Sequence, residues 1–292
     1  MHVVSFADDL RALCAKANNT GKKIGFVPTM GALHQGHCHL VEVAKKEGCF
    51  VVVSIFVNPL QFNQQIDLDC YPRTLETDLA MCEELGVDVV FTPQLTEMYP
   101  DGFETYVDPG SLSQGLEGSS RPGHFRGMAT VVLKLFMMVS PDVAYFGKKD
   151  YQQLAIVRRM ALDFNLPITI TGIDTVRETD GLAMSSRNAQ LSTQEREHAP
   201  LFYEVLMSLK TEVERATNTD AVEAAVLRAR EQLRTIPGYV YEYLELLEAK
   251  TLTSHTTLNL SQGANLVALG AIRSSSVRLI DNIEITSPRF PS

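Results

Sequence analysis

The first half of the chain alternates between short runs of apolar residues and segments in which apolar residues recur every three or four positions. Short runs rich in β-branched residues are typical of buried parallel strands, and the longer spacing is typical of helices that cover them. The pattern predicts strands at residues 23–27, 50–57, 87–91, 143–146 and 167–173. It predicts helices from residue 6, behind a capping box at 5–8, to near residue 21 and at 36–46, 74–85, 128–139 and 151–164. This order predicts an α/β fold with a doubly wound, Rossmann-like parallel sheet.

The pattern changes after residue 188. Two helical stretches at 193–216 and 220–233 precede three strand-like segments at 239–247, 265–272 and 277–285. Helices followed by strands without regular alternation are typical of an α+β unit. The polar stretch 177–188 is the expected boundary, so we divide the chain into a Rossmann-like domain of residues 1–178 and a smaller α+β domain of residues 179–292.

Composition narrows the classes of protein without identifying one. The chain of 292 residues is long enough for a buried core, and its 45% hydrophobic and 21% charged residues are ordinary for a globular protein. A net charge of −9 argues against a nucleic-acid partner over the whole surface, although a local basic cleft is compatible with it. No apolar run approaches the ~20 residues of a membrane span, and nothing at the N-terminus suggests export. We therefore expect a cytoplasmic protein without a membrane partner.

The segment PTMGALHQGH at 28–37 lies where the first of these strands should pass into its helix. In a doubly wound sheet, ligands bind beyond the carboxyl ends of the strands, and a helix N-terminus there offers backbone N–H groups to a phosphate. His34 and His37 are three positions apart, so both imidazoles can donate to phosphate oxygens from one face. Two other roles stay open. The histidines can cap the helix, or they can chelate a metal, which needs a third ligand that the sequence does not place.

Three further segments follow predicted strands and carry cations, hydroxyls or amides. GKKD at 147–150 ends a locally basic stretch and repeats the strand-to-helix layout of the first motif. DGLAMSSRN at 180–188 offers two hydroxyls and a guanidinium, and SIFVNPLQF at 54–62 offers the amides of Asn58 and Gln61. Each has a plain structural alternative: a capped surface turn, an ST-turn, and a turn that Asn58 begins. Together the four segments predict one polyphosphate-binding site.

These motifs are similar to those of the pantothenate synthetase family, the pantoate–β-alanine ligases. The similarity extends to YPRT at 71–74, EGSSRPGHFRG at 117–127, FGKKDYQQ at 146–153 and RLIDN at 278–282. The histidine motif and the Ser-Ser-Arg loop also resemble the wider nucleotidyltransferase superfamily. The resemblance implies a ligase that condenses pantoate with β-alanine through a pantoyl adenylate, with ATP and Mg²⁺ and with release of pyrophosphate. It also implies a homodimer in which the 179–292 domain closes over the site.

The resemblance implies roles for individual residues. His37, His34, Lys149 and Arg187 would be catalytic, with His37 as a proton donor and Lys149 as the main cation. Pantoate would contact Gln61, Gln153, Met30 and Asn58, and β-alanine would also contact Gln61. No resident metal ligand is expected. ATP would contact a first group, Met30, Gly31, Ala32, Leu33, His34, Gln35, Gly36 and His37, and a second group, Gly147, Lys148, Lys149, Asp150, Val176, Met184, Ser185, Ser186 and Arg187.

Two segments depart from the family pattern. Residues 63–67 are NQQID where GPNED is typical, and residues 275–277 are SSV where G-x-T is usual. Two other functions remain open: a nucleotidyltransferase that attaches AMP to a phosphate acceptor and stops there, and a non-catalytic nucleotide sensor. The neutral side chains of Gln61 and Gln153 favour a hydroxy acid over a phosphate acceptor, and a sensor would release no pyrophosphate.

Overall fold

The computed structural model describes residues 1–257, 263–287 and 289. Its helices and strands are, in chain order, β1 (His2–Val4), α1 (Ala7–Asn19), β2 (Ile24–Thr29), α2 (Gln35–Lys46), β3 (Phe50–Ile55), α3 (Gln65–Asp69), α4 (Leu75–Glu84), β4 (Val89–Phe91), α5 (Leu95–Met98), α6 (Glu117–Ser120), α7 (His124–Val139), β5 (Val143–Gly147), α8 (Tyr151–Asp163), β6 (Thr169–Ile173), α9 (Thr193–His198), α10 (Leu201–Glu214), α11 (Thr219–Arg234), β7 (Val240–Glu248), β8 (Asn265–Arg273) and β9 (Arg278–Thr286). Short 3-10 turns lie at Pro59–Gln61, Gly110–Ser113, Lys148–Asp150, Ser186–Gln190 and His255–Thr257.

The chain divides into two compact units, and the division does not follow a single cut. The first unit is Met1–Gly147 with Gln152–Asp174, and the second is Lys148–Tyr151 with Thr175–Ser292. Four residues that continue directly from β5 are therefore part of the second unit.

The first unit is a six-stranded parallel sheet in the order β1-β4-β3-β2-β5-β6. This confirms the predicted fold class, and the five strands predicted in the first half are β2 to β6. The central strands β2 and β3 are largely apolar because helices cover both faces. Val27 of β2 and Val53 of β3, for example, pair in register and are both fully buried. The chain order reverses between β2 and β5, the place at which such sheets bind ligands.

Three expectations about local structure need correction. β1 is absent from the predicted strands, because three residues carry too short a pattern. The capping box at the start of α1 is wrong: the Ser5 hydroxyl bonds to Thr92 at 3.2 Å, and Glu97 accepts from the Ala7 N–H at 2.9 Å. The single helix predicted over 193–216 is two helices, since α9 ends and α10 begins on either side of Pro200, which has no N–H to continue a helix.

The second unit is a three-stranded antiparallel sheet, β7-β8-β9, with α10 and α11 packed against it. The three strands predicted after residue 238 are confirmed to within a residue or two. Its core includes Phe202 and Leu206 of α10, Val226 of α11 and Leu244 and Leu266 of the sheet. Within the described part of the chain, no helix has the length and apolar character needed to span a bilayer.

Candidate active site

In the turn between β2 and α2, backbone N–H groups donate hydrogen bonds to a buried carboxylate, that of Asp78. Gly31 and Ala32 both have left-handed backbone conformations, with φ of 79° and 50°. The N–H groups of Ala32 and Leu33 each donate to one oxygen of Asp78 at 2.9 Å. Asp78 lies on α4, is 2% exposed, and accepts from the Thr74 hydroxyl at 3.2 Å. Because a buried carboxylate needs such donors, Asp78 and the turn hold each other in place.

Asp78 was not among the predicted site residues. A signal was present, since it lies on the buried side of a helix four residues before Cys82, and a charged side chain is rarely buried there without a specific partner. The partner is a turn 45 residues earlier in the chain, which leaves no local pattern to find.

His34 and His37 form a reciprocal cap at the start of α2. His34 Nδ1 accepts from the Gly36 N–H at 3.1 Å, and His37 Nδ1 accepts from the His34 N–H at 3.3 Å. Their ring centroids are 4.1 Å apart. A ring nitrogen that accepts a hydrogen bond carries no hydrogen, so this network places the hydrogen of each neutral ring on Nε2. The capping role left open above is confirmed, and contact with a phosphate remains a prediction.

Gly36 allows this cap to form. A Cβ at this position would lie 2.8 Å from Cε1 of His34, so the ring folds over a residue that has no side chain. Among the described residues, no group of three or more His, Cys, Asp or Glu could hold a metal ion. The chelating role considered for His34 and His37 therefore finds no third ligand in that part of the chain.

The turn after β3 is built around Asn58, whose side chain is 1% exposed and engaged on both sides of its amide. Its Oδ1 accepts from the Leu60 N–H at 3.3 Å and from the Tyr99 hydroxyl at 2.7 Å. Its Nδ2 donates to Gln61 Oε1 at 3.0 Å and to the Gly127 carbonyl at 3.2 Å. Burial raises the pKa of Tyr99, which keeps its phenol protonated and able to donate. Asn58 thus begins the turn, the structural alternative given above, and orients the amide of Gln61.

Gln61 connects the residues around this turn. Its Nε2 donates to Met30 Sδ at 3.1 Å, so Gln61 contacts both Met30 and Asn58, two of the other residues predicted to bind pantoate. Its backbone carbonyl accepts from His124 Nδ1 at 2.7 Å. Arg121 in turn donates to His124 Nε2 at 3.3 Å, so the neutral His124 ring has its hydrogen on Nδ1. Part of the 117–127 motif therefore serves to fix Gln61.

Gly127 lets α7 approach the same turn. A Cβ on Gly127 would overlap the carbonyl of Leu60 and lie 2.7 Å from the Gln61 nitrogen. Nearby, Asn63 is the first residue of the segment that departs from the family pattern, and its Nδ2 donates to the Pro122 carbonyl at 2.7 Å. That departure is thus tied to the same 117–127 segment.

The two adjacent glutamines at the start of α8 have different surroundings. Gln152 is 4% exposed, and its Nε2 donates to the carbonyls of Leu112 and Gly115 at 2.8 and 2.9 Å. Its Oε1 accepts from the Glu117 N–H at 3.0 Å. Gln153, which is predicted to bind pantoate, is half-buried. Gln152 therefore anchors the segment that leads into α6, and contact between Gln153 and pantoate remains a prediction.

In the second unit, the turn that follows β5 is held by side chains of β9. Asn282 donates to the carbonyls of Lys148 and Lys149 at 2.9 and 2.8 Å. Glu284 accepts from Lys148 Nζ at 2.7 Å and from the Tyr151 hydroxyl at 3.0 Å. The side chain of Lys149, the predicted main cation, is 20% exposed. The RLIDN motif at 278–282 therefore acts on the backbone of a predicted ATP-binding turn.

The segment expected to link the domains forms a narrow hairpin. The Met184 N–H donates to the Val176 carbonyl at 3.0 Å. Arg177 pairs with both oxygens of Asp281 at 2.6 and 2.9 Å, and its guanidinium lies 3.6 Å from the centroid of the Tyr203 ring. Asp281 is 5% exposed, and burial raises the pKa of its carboxyl against the opposing effect of the Arg177 charge. The hairpin is thus fastened to β9 by a buried ion pair.

The hairpin continues into the Ser-Ser-Arg loop, which is a 3-10 turn. Ser185 Oγ accepts from the Arg187 N–H at 3.3 Å, so the ST-turn alternative is present in the structure. Asn188 donates to Glu178 Oε1 at 3.0 Å and to the Ala183 carbonyl at 3.1 Å, which ties the turn to the hairpin. The predicted phosphate ligands in this loop are all half-buried: Met184, Ser185, Ser186 and Arg187.

The second departure from the family pattern is built into a buried hydrogen-bond cluster. Glu195 accepts from the Ser192 N–H at 2.8 Å and from the hydroxyls of Ser276 and Ser275 at 2.7 and 2.9 Å. These donors hold the pKa of the Glu195 carboxyl well below its usual range. Ser275, which stands where glycine is usual, and its neighbour Ser276 therefore both donate to one carboxylate.

Comparison with known proteins gives one consistent result. The model of the pantoate–β-alanine ligase family matches residues 2–284. Pantothenate synthetases of Pseudomonas fluorescens and Thermus thermophilus are each 47% identical to this chain, over 98% of it and over 98% and 99% of their own lengths.

Solved structures agree with the sequence relatives. The pantothenate synthetase of Thermus thermophilus superposes with a TM-score of 0.88 at 44% identity and covers 100% of both chains. The pantoate–β-alanine ligase of Francisella tularensis, solved in complex with β-γ ATP and β-alanine, has a TM-score of 0.76 at 35% identity and covers 97% of both chains. With the family model and these relatives covering nearly its whole length, the chain belongs to the pantoate–β-alanine ligase family.

Proposed function

We propose that the residues described above carry out the two half-reactions of a pantoate–β-alanine ligase. The chain condenses pantoate with β-alanine and converts ATP to AMP and pyrophosphate. In the first half-reaction a carboxylate oxygen of pantoate attacks the α-phosphorus of ATP, and the bond to pyrophosphate breaks. In the second, the amine of β-alanine attacks the acyl carbon and loses a proton, and AMP leaves. Adenylation is needed because a carboxylate is a poor acyl donor.

The observation that carries the assignment of ATP is the reciprocal cap that His34 and His37 form at the start of α2. The N–H groups of Gly31, Ala32 and Leu33 are donated within the protein. Because the Nδ1 atoms of both imidazoles take part in the cap, we assign the contact with phosphate oxygens to the Nε2 side of the two rings. His37 also supplies a proton to the departing pyrophosphate, because an imidazole can give up a proton near neutral pH.

The cations of the second unit act on the charge that develops at the α-phosphate. Lys149 carries the main charge, and Arg187 with the Ser185 and Ser186 hydroxyls binds the remaining phosphate oxygens. Backbone and side-chain groups of the same segments bind the ribose and the adenine. These are Gly147, Asp150 and Val176. Met184 closes over the polyphosphate with the two serines, and Lys148 is a further contact of ATP.

Pantoate binds at the turn after β3. Gln61 supplies the polar contact, Met30 packs beside it, and Gln153 completes the set; Gln61 also meets β-alanine. Because both sides of the Asn58 amide are engaged by the protein, Asn58 acts on pantoate by orienting Gln61. Neutral amides suit a hydroxy acid, whereas a phosphate-bearing acceptor would call for another cation.

Mg²⁺ belongs to this proposal as part of the ATP substrate. Over the described residues no cluster of protein ligands could hold a metal ion, and Mg²⁺ is readily held by substrate phosphates together with water. A homodimer is a further proposal that rests on the family resemblance, and the mass of the native particle tests it.

Pyrophosphate release from purified protein tests the function. The assay contains ATP and Mg²⁺ with pantoate alone, with β-alanine alone, or with both. We expect a single stoichiometric burst with pantoate alone, no release with β-alanine alone, and sustained release with both, accompanied by AMP and pantothenate. ATP binding without release under any condition would support the sensor instead, and release only with a phosphate-bearing acceptor would support the nucleotidyltransferase.

A further inference from the structure

The RLIDN motif places an asparagine against the backbone on both sides of Lys149. Asn282 is 6% exposed, and its Nδ2 donates to the carbonyl of Lys148 at 2.9 Å and to that of Lys149 at 2.8 Å. The first carbonyl belongs to the peptide unit before the Lys149 Cα, and the second belongs to the unit after it. Because each peptide unit is planar, holding both units fixes the direction of the Lys149 Cα–Cβ bond.

The position of Asn282 on β9 is itself well determined. Its backbone is paired with Leu269 of β8, the central strand of the three-stranded sheet. Side chains alternate along a strand, so Asn282 and Glu284 share one face, and Glu284 holds Lys148 Nζ and the Tyr151 hydroxyl of the same turn. The amide thus reaches the turn from a rigid element whose neighbours contact the same residues.

We propose that Asn282 is a positioning residue for Lys149: its carboxamide orients the lysine so that the ammonium group meets the α-phosphate during adenylation. This inference rests on the proposed role of Lys149. The chemistry requires an amide at position 282, since two carbonyl oxygens need donors and an ionised carboxylate has none. An aspartate of the same shape would instead set a negative charge against both carbonyls and beside Asp281.

Activity measurements test the proposal through the dependence of one residue on the other. We expect Asn282→Ala to lower the rate of pyrophosphate release about 10- to 100-fold at saturating substrates, as a small misplacement of a reacting group does. The KM for ATP should change less than about threefold, because ground-state binding is shared with other groups. Asn282→Asp should lose at least as much as Asn282→Ala.

A double-mutant cycle separates positioning from a general structural effect. In a Lys149→Ala background, Asn282→Ala should change the remaining rate by less than about twofold, because the residue it orients is gone. An equal fold loss in both backgrounds would overturn the proposal, as would a full rate for Asn282→Ala alone. Asn218→Ala is the matched control: it removes an exposed amide that caps α11 through the Ala221 N–H at 2.9 Å and should leave the rate unchanged.

A measurement without turnover keeps this inference distinct from the proposed function. Lysines of the whole protein are labelled by reductive ¹³C-methylation, and the Lys149 signal is identified by its loss in Lys149→Arg. We expect Asn282→Ala to shift and narrow this signal as the side chain gains freedom, with no change in Asn218→Ala. An unchanged signal would contradict the positioning role even in an active enzyme. Absence of pyrophosphate release from the wild type would instead contradict the proposed function.

Discussion

The turns after β2 and β5 both lead from a strand into a helix, but the protein holds them by opposite chemistry. After β2, the N–H groups of Ala32 and Leu33 donate to the carboxylate of Asp78. After β5, the carbonyls of Lys148 and Lys149 accept from the carboxamide of Asn282. One turn has its backbone donors secured, and the other has its backbone acceptors secured.

This difference matters for an anionic ligand. Where backbone N–H groups are donated within the protein, contact with an anion falls to side chains, and the proposed function gives this role to His34 and His37. Where backbone carbonyls are bound to an amide, their negative ends are directed to the protein, so they would not oppose the phosphate contact proposed for Lys149. The two turns are therefore secured differently, and the phosphate contacts proposed for them differ as well: imidazoles at the first turn and the ammonium group of Lys149, with its positive charge, at the second.

The largest effect should come from removing the positive charge of Lys149. We expect Lys149→Ala to lower the rate of pyrophosphate release by at least about 100-fold, the scale of losing one donor aimed at the transition state. Urea unfolding should show a stability close to that of the wild type, because the backbone contacts of the turn do not use the ammonium group. A rate within a few-fold of the wild type would remove Lys149 from the mechanism. The turn after β5 would then have no proposed role in binding a phosphate.

The second-largest effect should come from changing Asp78, whose carboxylate holds the turn after β2. Asp78→Asn replaces one acceptor with an NH₂ group that faces a backbone N–H, so we expect a loss of about 1–3 kcal/mol in the free energy of unfolding. The weakened turn should also slow pyrophosphate release. Glu83→Gln, an exposed substitution on the same helix, is the control and should stay within about 0.5 kcal/mol. Equal stabilities for the two variants would mean that the turn does not depend on Asp78.

A matched pair of glycines tests how the neighbouring turn after β3 is held. Gly127→Ala places a methyl group against the Leu60 carbonyl, and we expect it to cost about 1–3 kcal/mol of stability by overpacking. Its KM for pantoate should rise more than its KM for ATP, because Gln61 is displaced. Gly115→Ala has open space around its Cβ and should be nearly neutral in both measurements. Comparable losses in both variants would contradict a specific close approach at Gly127.

The smallest effect concerns acid stability in the second unit. The pKa of Glu195 in the folded protein is depressed below its ordinary value of 4.5, so its stabilising contribution is present above that pH and is lost as the pH falls below it. Glu195→Gln should therefore be less stable than the wild type at pH 7, and the difference should shrink in urea titrations near pH 4. A difference independent of pH would show that the cluster with Ser275 and Ser276 does not act through the charge.

Local patterns predict the fold because a strand that is buried on both faces of a sheet consists of a nearly continuous run of apolar residues. Apolar runs such as the one in β3 indicate the parallel strands, whereas the helical spacing on both sides of Pro200 hides the break between α9 and α10. The capping role of His34 is open to prediction because it depends on Gly36 and His37, within three residues.

Other parts of the site depend on partners that no local pattern can indicate. Asp78 acts on residues 45 and 46 positions away, and Asn282 acts on a residue 133 positions away. The family pattern includes the 278–282 motif but does not indicate what the motif does. In the structure, Asn282 of this motif donates to the backbone carbonyls of Lys148 and Lys149. Contacts made across such distances become visible only when the folded chain brings the elements together.

The way in which the chain divides also limits how the protein can be dissected. Residues 148–151 belong with the second unit although β5 before them and the rest of α8, from Gln152 on, belong with the first. A gene fragment encoding residues 1–174 would thus supply the complete parallel sheet but leave the lysine turn without Asn282 and Glu284. An exchange of the second unit between related proteins would therefore have to transfer the turn together with β9.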